Sequence, residues 1–171
     1  MKQNTAWKVA LLVGALSFTA FTQAWADEDA GGALPLVSNA KWKEECGSCH
    51  MAYHPGLLPE RSWRKLMGGL DKHFDQSASL DAATQKEITD FLVKFSAEHS
   101  SSKSSAKIAR SIPAKSTPER ITETTWFKRE HHEVGATVWK RPKVGSASNC
   151  AACHRTAEKG EFSEHNVKIP R

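Results

Sequence analysis

The clearest alternation of apolar and polar positions lies in the first half of the chain and predicts two amphipathic helices. Between residues 59 and 74, apolar side chains recur at helical spacing, at Trp63, Leu66, Met67, Leu70 and Phe74. Asp81 is the expected N-cap of a second helix over residues 82–99. Its apolar face consists of Ile88, Phe91, Leu92 and Phe95. Because the alternation typical of strands is weak throughout, the pattern predicts an all-α fold.

The second half of the chain does not repeat the first. Residues 100–118 are polar, basic and marked by prolines, which is typical of a surface linker loop. Beyond this Ser/Lys-rich segment, residues 121–134 have a helical pattern that includes Trp126 and Phe127. Residues 139–148 contain Pro and Gly and are expected to form a loop.

The N-terminal residues have the pattern of a cleavable secretory signal. Two lysines precede an apolar stretch from Val9 to Phe21, and Ala24-Trp25-Ala26 forms an A-x-A cleavage site. The apolar stretch is short for a membrane span, which favours cleavage over an uncleaved anchor. We therefore expect residues 1–26 to be a signal peptide and residues 27–171 to form one soluble, periplasmic domain.

Composition and charge narrow the functional classes. The formal net charge of +5 falls to +3 when Lys2 and Lys8 leave with the signal. No basic and aromatic pattern points to nucleic-acid binding. Only 39% of the residues are hydrophobic, which is low for a chain that must build its own core. Bound apolar groups would supply the missing bulk.

Two motifs carry the chemistry of the chain. Cys46-Gly47-Ser48-Cys49-His50 and Cys150-Ala151-Ala152-Cys153-His154 are both Cys-x-x-Cys-His, the attachment sequence of a c-type haem. The thiols of such a motif form thioethers with the porphyrin, and the histidine becomes the proximal ligand of the iron. The two motifs use all four cysteines of the chain. We therefore expect two covalent haems that form much of the core, attached through Cys46, Cys49, Cys150 and Cys153, with His50 and His154 as proximal ligands.

Other uses of the four cysteines are weaker interpretations. A thioredoxin-like redox pair would follow a strand of a βαβ unit, and that pattern is absent from the sequence. A structural zinc site would leave the histidine after each motif unexplained. Two ordinary disulfides would suit an exported protein, and this alternative stays open.

The occupant of the second axial position of each iron distinguishes an electron carrier from a protein that binds small molecules. A second His or a Met closes the iron to small molecules, whereas an open position admits them. His73 is the first candidate, since it falls on the apolar face of the first predicted helix. His131 is the second, since it lies four residues after Phe127 on the same face, and neighbouring His132 is its alternative. Met67 is the methionine candidate.

The remaining histidines are weaker candidates for the iron. His99 lies at the end of the second predicted helix, beside the serine run. His54 follows the first motif closely and is expected to be exposed, as is His165 in the charged tail. The distal ligands cannot be assigned to individual irons from spacing, because the pairs could cross between the two halves.

Several segments of the chain resemble the bacterial dihaem cytochrome c family often called DHC. They comprise both motifs, Met51-Ala52-Tyr53, Pro55-Gly56-Leu57-Leu58-Pro59, Arg61-Ser62-Trp63, Ala78-Ser79-Leu80-Asp81, Arg120-Ile121-Thr122, Trp126-Phe127 and Val167-Lys168-Ile169-Pro170-Arg171. The resemblance implies an exported electron carrier with two bis-histidine haems. It also implies two partners, a membrane b-type cytochrome and a small monohaem protein called SHP. His73 lies in a segment like the family's His-Phe followed by an acidic residue, and His131 in one like its Glu-His-x-Glu-Val.

The sequence thus predicts a periplasmic dihaem cytochrome that transfers single electrons at low potential and is not an enzyme. The alternative is a dihaem peroxidase-like or gas-binding protein with one open axial site. Electron transfer requires a docking surface near a haem edge, and Lys140, Arg141 and Lys143, just before the second motif, are the first candidates for it. The basic stretch from Lys103 to Lys115 is the second.

Overall fold

The computed structural model describes residues 32–171, which form six α-helices linked by turns and short 3-10 helices. The α-helices are α1 (Ala40–Gly47), α2 (Glu60–Gly68), α3 (Ala82–Lys94), α4 (Lys103–Ser111), α5 (Thr125–Glu130) and α6 (Ala136–Trp139). In this range no strand occurs, and the two β-bridges, His73–Gln76 and His154–Val167, are isolated. The predicted all-α fold is confirmed. The expected signal peptide lies outside the described residues.

The first half is built around the packing of α2 on α3. Asp81 caps α3 as predicted, since its side chain accepts hydrogen bonds from the backbone N–H groups of Ala83 and Thr84, both at 3.0 Å. The first core consists of Trp42, Leu58, Trp63, Leu66, Met67, Ile88, Phe91 and Leu92. The predicted apolar faces of both helices are therefore buried together, except at their C-terminal ends.

Both of these helices end earlier than the sequence pattern predicts. Helix α2 ends at Gly68, and the N–H of Gly69 donates to the carbonyl of Leu66 at 3.1 Å. Two consecutive glycines are poor helix formers, so the chain turns there and Phe74 is 39% exposed instead of joining the core. Helix α3 ends at Lys94, where the chain tightens into a turn.

The predicted linker loop over residues 100–118 is wrong in its first part, which forms α4. Ser102 caps this helix by accepting hydrogen bonds from the N–H groups of Ser104 and Ser105. The helix buries Ser105 beside Gly56, and it buries Ile108 in a second core with Trp126 and Phe127. A serine-rich segment is low in complexity but can still form a helix when its small side chains face a neighbouring element.

The second core lies beside α5 and contains residues from both halves, namely Leu34, Leu57, Ala97, Ile108, Ile112, Trp126 and Phe127. The helix predicted over residues 121–134 is shorter, a 3-10 turn at Ile121–Glu123 followed by α5. The loop expected over residues 139–148 is present beyond Trp139. Among residues 32–171, no helix has the length and apolar character needed to cross a membrane.

Candidate haem sites

The first Cys-x-x-Cys-His motif begins at the C-terminal end of α1. Asn39 caps this helix by accepting a hydrogen bond from the N–H of Trp42 at 2.8 Å. Cys46 is half-buried against the first core, and Cys49 is exposed. The Nδ1 atom of His50 lies 2.8 Å from the carbonyl oxygen of Met51. If Nδ1 donates the proton in this bond, Nε2 is the nitrogen available to a metal ion.

His73 faces His50 across a gap, with ring centres 6.2 Å apart and an angle of 26° between the ring planes. It follows a 3-10 helix, Leu70–Lys72, rather than lying on α2 as the sequence pattern predicted. Burial lowers the pKa of His73 below its ordinary value, and the positive charges of His50 and Arg120 lower it further. His73 is therefore neutral at neutral pH, which is the form that binds a metal ion.

The second motif begins with a 3-10 turn, Cys150–Ala152. Just beyond this turn, the N–H of His154 donates to the carbonyl of Cys150 at 2.8 Å. The C-terminal tail runs beside this motif, because the N–H of Lys168 donates to the carbonyl of Cys153 at 3.0 Å. The Nδ1 atom of His154 is buried and has no hydrogen-bond partner among the described residues. Burial also lowers the pKa of this imidazole.

His131 faces His154 with ring centres 6.0 Å apart and an angle of 74° between the planes. As the sequence predicted, His131 lies on the same face as Phe127, and the two rings stack with their centres 4.0 Å apart. The C-terminal end of α5 fixes the imidazole, because its Nδ1 lies 2.9 Å from the carbonyl oxygen of Phe127. Burial is the main cause that lowers the pKa of His131.

The two facing pairs have the spacing that a shared iron requires. An imidazole nitrogen lies about 2.0 Å from a coordinated transition-metal ion, so two axial rings have their centres about 6 Å apart. Both pairs, at 6.2 and 6.0 Å, match this separation, and each contains the histidine of one motif. The side chains present therefore fit two haems, and each facing pair would hold one of them.

The four thiols are neither gathered into a zinc site nor joined in disulfides. Burial raises the pKa of Cys46 and of Cys150 to about 11. In the part of the chain that the structure describes, no group of three or more His, Cys, Asp or Glu side chains is arranged to hold a metal ion. None of the four cysteines is paired in a disulfide.

The other candidate ligands lie at the surface or in the first core. His132 is exposed, and its Nδ1 bonds to a backbone carbonyl of its own helix. His99 makes a surface contact of 3.1 Å with the Glu60 carboxylate. Met67 is buried in the first core, and His165 lies exposed in the tail as expected.

The expectation that His54 is exposed is wrong, because only 6% of its surface is accessible. Its Nδ1 accepts a hydrogen bond from the N–H of Gly56 at 2.9 Å, and its Nε2 lies 2.8 Å from the carbonyl oxygen of Pro35. The N-terminal segment of the described chain folds across His54, since the N–H of Leu34 donates to the carbonyl of Gly160 at 2.8 Å. His54 therefore joins three segments of the chain as a neutral, structural residue.

Tyr53 connects the two sites, a role that the sequence analysis did not identify. Its ring stacks on His50 with centres 4.8 Å apart, and its hydroxyl donates to the carbonyl of Ser148 at 2.8 Å. Ser148 precedes Cys150 by two residues. Burial raises the pKa of Tyr53, so the hydroxyl keeps its proton. The signal available in the sequence was that this is the only tyrosine of the chain, three residues after the first motif.

Comparison with known proteins identifies a family and solved structures that are similar to this chain. The family described as dihaem cytochrome c matches residues 42–162. A diheme cytochrome c from Rhodobacter sphaeroides is 43% identical over 76% of this chain and all of the other, with a TM-score of 0.68. A diheme cytochrome type c from Shewanella baltica is 40% identical over 77% of this chain and 93% of the other, with a TM-score of 0.64.

No curated protein matches the sequence significantly. The family match nevertheless extends over both Cys-x-x-Cys-His motifs and over both facing histidine pairs. The resemblance to the DHC family that the motifs suggested is confirmed. The chain belongs to the dihaem cytochrome c family, and it is an electron-transfer protein with two covalently attached c-type haems.

Proposed function

We propose that this protein is a periplasmic carrier of single electrons in which two histidines coordinate each haem iron. His50 and His73 would hold the first haem, and His154 and His131 the second. The observation that carries this proposal is the two facing imidazole pairs, with ring centres 6.2 and 6.0 Å apart, each next to one pair of cysteines. Cys46, Cys49, Cys150 and Cys153 would form the thioethers.

The surroundings of the imidazoles favour a low reduction potential at both sites. When bound, the haem iron supplies the reversible gain and loss of one electron. A second imidazole stabilises ferric iron more than a thioether does, and hydrogen bonds from His50 and His131 to carbonyl oxygens strengthen the two rings as donors. The protein would then donate electrons to acceptors of higher potential.

Tyr53 supports electron exchange between the two sites of one molecule. Its ring contacts His50, and its hydroxyl reaches the backbone that leads directly to Cys150. Packed atoms and hydrogen bonds give better electronic coupling than a gap or bulk water. We therefore interpret the two haems as one connected unit rather than as two independent carriers.

Electron paramagnetic resonance of the oxidised protein tests the coordination. Two low-spin ferric signals are expected, and they should differ because anisotropy depends on the angle between the axial imidazole planes. The nearly parallel pair, at 26°, should give a rhombic signal, and the pair at 74° a signal with one large g value. A redox titration of the same sample should place both centres below the standard hydrogen potential.

Other outcomes of these measurements would contradict the proposal. A high-spin ferric signal would indicate an open axial position and favour a peroxidase-like or gas-binding function. The absorption band of a methionine-ligated ferric haem would implicate Met67. Potentials well above the hydrogen electrode at both centres would exclude a low-potential donor.

The loop before the second motif is our proposed docking surface for a redox partner. Lys140 and Lys143 are exposed, and buried Val144 anchors the loop. Arg141 lies close enough to Cys153 for its charge to oppose the rise in that thiol's pKa, and its Nη1 donates to the carbonyl of Pro170 at 2.8 Å. The surface is thus positive and adjoins a haem attachment site, which suits an acidic partner such as an SHP-like monohaem cytochrome or the soluble face of a membrane b-type cytochrome.

Changing Lys140, Arg141 and Lys143 to glutamine should slow electron transfer to an acidic acceptor roughly 10-fold at low salt, because electrostatic attraction speeds the encounter. Stopped-flow mixing at increasing ionic strength measures this, since charges are screened beyond about 10 Å at 0.1 M salt. Both reduction potentials should stay nearly unchanged. The matched control changes three exposed basic residues of the second candidate stretch, Lys103, Arg110 and Lys115. If the control variant slowed electron transfer more than the first variant, the docking surface would lie on the Lys103–Lys115 stretch instead.

A further inference from the structure

The backbone that follows His73 is strained. Phe74 and Asp75 have φ angles of +50° and +70°, in the left-handed region that side chains with a Cβ rarely adopt. The turn is closed by a hydrogen bond of 3.0 Å from the N–H of Gln76 to the carbonyl of His73. Such strain persists only where neighbouring contacts hold the segment in place, and it is concentrated at functional sites.

A residue from the other half of the chain supplies a contact to this turn. The guanidinium carbon of Arg120 lies 3.9 Å from the centre of the Phe74 ring, a cation–π geometry. The Phe74 ring in turn lies 4.7 Å from the imidazole of His73, with an angle of 60° between them. Arg120, Phe74 and His73 therefore form a continuous chain of contacts that leads to His50.

The residue after Arg120 fixes the backbone at this point of the chain. Glu119, the residue before it, makes only a surface ion pair with Lys65 on α2. Ile121 is half-buried and packs against the cores of both halves. Ile121 consequently holds the backbone of Arg120 in place, and only the Arg120 side chain has to be ordered when it covers Phe74.

We propose that Arg120 is a positioning residue that presses the strained turn against the first site and keeps His73 on its iron. This inference rests on the proposed coordination by His50 and His73. The second site does not depend on such a contact, because the backbone of His131 ends α5 and its imidazole is bonded to Phe127. Loss of Arg120 should therefore affect the first haem alone.

A surface ion pair offers an alternative role for Arg120, since its Nε lies 3.6 Å from a carboxylate oxygen of Glu123. Both side chains are about half exposed, and such pairs contribute little in water. The two roles can be separated. Glu123→Ala removes the ion pair and leaves the stack on Phe74, whereas Arg120→Ala removes both, and Arg120→Lys keeps a cation over the ring.

Carbon monoxide binding to the reduced holoprotein measures how often His73 leaves the iron. Arg120→Ala should bind carbon monoxide roughly 2- to 5-fold faster than the parent protein, the range that corresponds to loss of one exposed cation–π contact. The faster phase should account for one of the two haems. Arg120→Lys and Glu123→Ala should behave like the parent protein.

A second comparison tests that Arg120 acts through His73. When His73 is already alanine, the first haem is open, so adding Arg120→Ala should bring no further acceleration. Phe74→Leu, which removes the ring, should reproduce the effect of Arg120→Ala and replaces it if that variant does not fold. Unchanged kinetics in both variants, or equal acceleration at both haems, would overturn the proposal for Arg120. Rapid binding to the first haem of the parent protein would instead overturn the proposed coordination.

Discussion

Replacing His131 by alanine is expected to open one of the two haems to carbon monoxide, while His132→Ala leaves both closed. His131 faces His154 at 6.0 Å and is fixed by the end of α5, whereas His132 is exposed. A bis-histidine iron must release one ligand before another can bind, and a minor open state is populated at only about 0.1–10%. Without His131 the iron stays open all the time. The rate of carbon monoxide binding to that haem should therefore rise roughly 10- to 1000-fold.

Stopped-flow mixing of the reduced protein with carbon monoxide gives both the rate and the share of haem that reacts. The reduction potential of the altered centre should also rise, because ferric iron loses a strong donor. His132→Ala is the matched control, because it removes the same kind of side chain from the neighbouring position. An effect that came merely from losing an imidazole near the end of α5 would appear in both variants. If His132→Ala opened the haem and His131→Ala did not, the assignment of the second distal ligand would be reversed.

The free energy of unfolding is expected to fall below about pH 6.5 because of His54, the buried histidine outside the haem sites. Burial lowers its pKa below the ordinary value of 6.5. Protonation would also place a hydrogen on Nδ1, which accepts a hydrogen bond from Gly56. Between the lowered folded pKa and 6.5, the unfolded chain binds a proton that the folded chain does not. Stability is therefore complete above this window and is lost as the pH falls through it, by up to about 1.4 kcal/mol per pH unit.

Unfolding of the holoprotein by guanidinium at several values between about pH 5 and pH 8 measures this dependence. His54→Asn can still accept the hydrogen bond from Gly56 and does not titrate, so its stability should vary less with pH. His132→Asn is the matched control, since that side chain is exposed and should leave the dependence unchanged. Equal slopes in the parent protein and in His54→Asn would show that other groups cause the acid sensitivity.

His73 faces His50 through a local structure that differs from the one its sequence pattern predicts. It was chosen because it fell on the apolar face of a helix extending to Phe74, but α2 ends at Gly68. The imidazole reaches His50 instead through a 3-10 helix and a turn with left-handed backbone. The spacing of apolar residues indicates which side chains are kept from water. It does not distinguish a helix from a turn that shields the same side chains.

His54, Tyr53 and α4 were misjudged or missed for a common reason. Each depends on partners distant in sequence, namely Pro35 for His54, Ser148 for Tyr53 and the second core for α4. A sequence read segment by segment contains no signal for a carbonyl oxygen or an apolar surface that arrives from another part of the chain. These residues were therefore interpreted from local composition alone.

The sequence by itself determined the number and kind of the cofactors, because haem attachment requires two cysteines and a histidine within five consecutive residues, and this local chemistry is visible without a fold. It also named the candidates for the second axial positions, which are a few histidines and Met67. Only the tertiary structure decided which imidazoles face each other, His50 with His73 and His131 with His154. That pairing depends on how separate turns and helix ends pack, which involves distances between residues more than twenty positions apart.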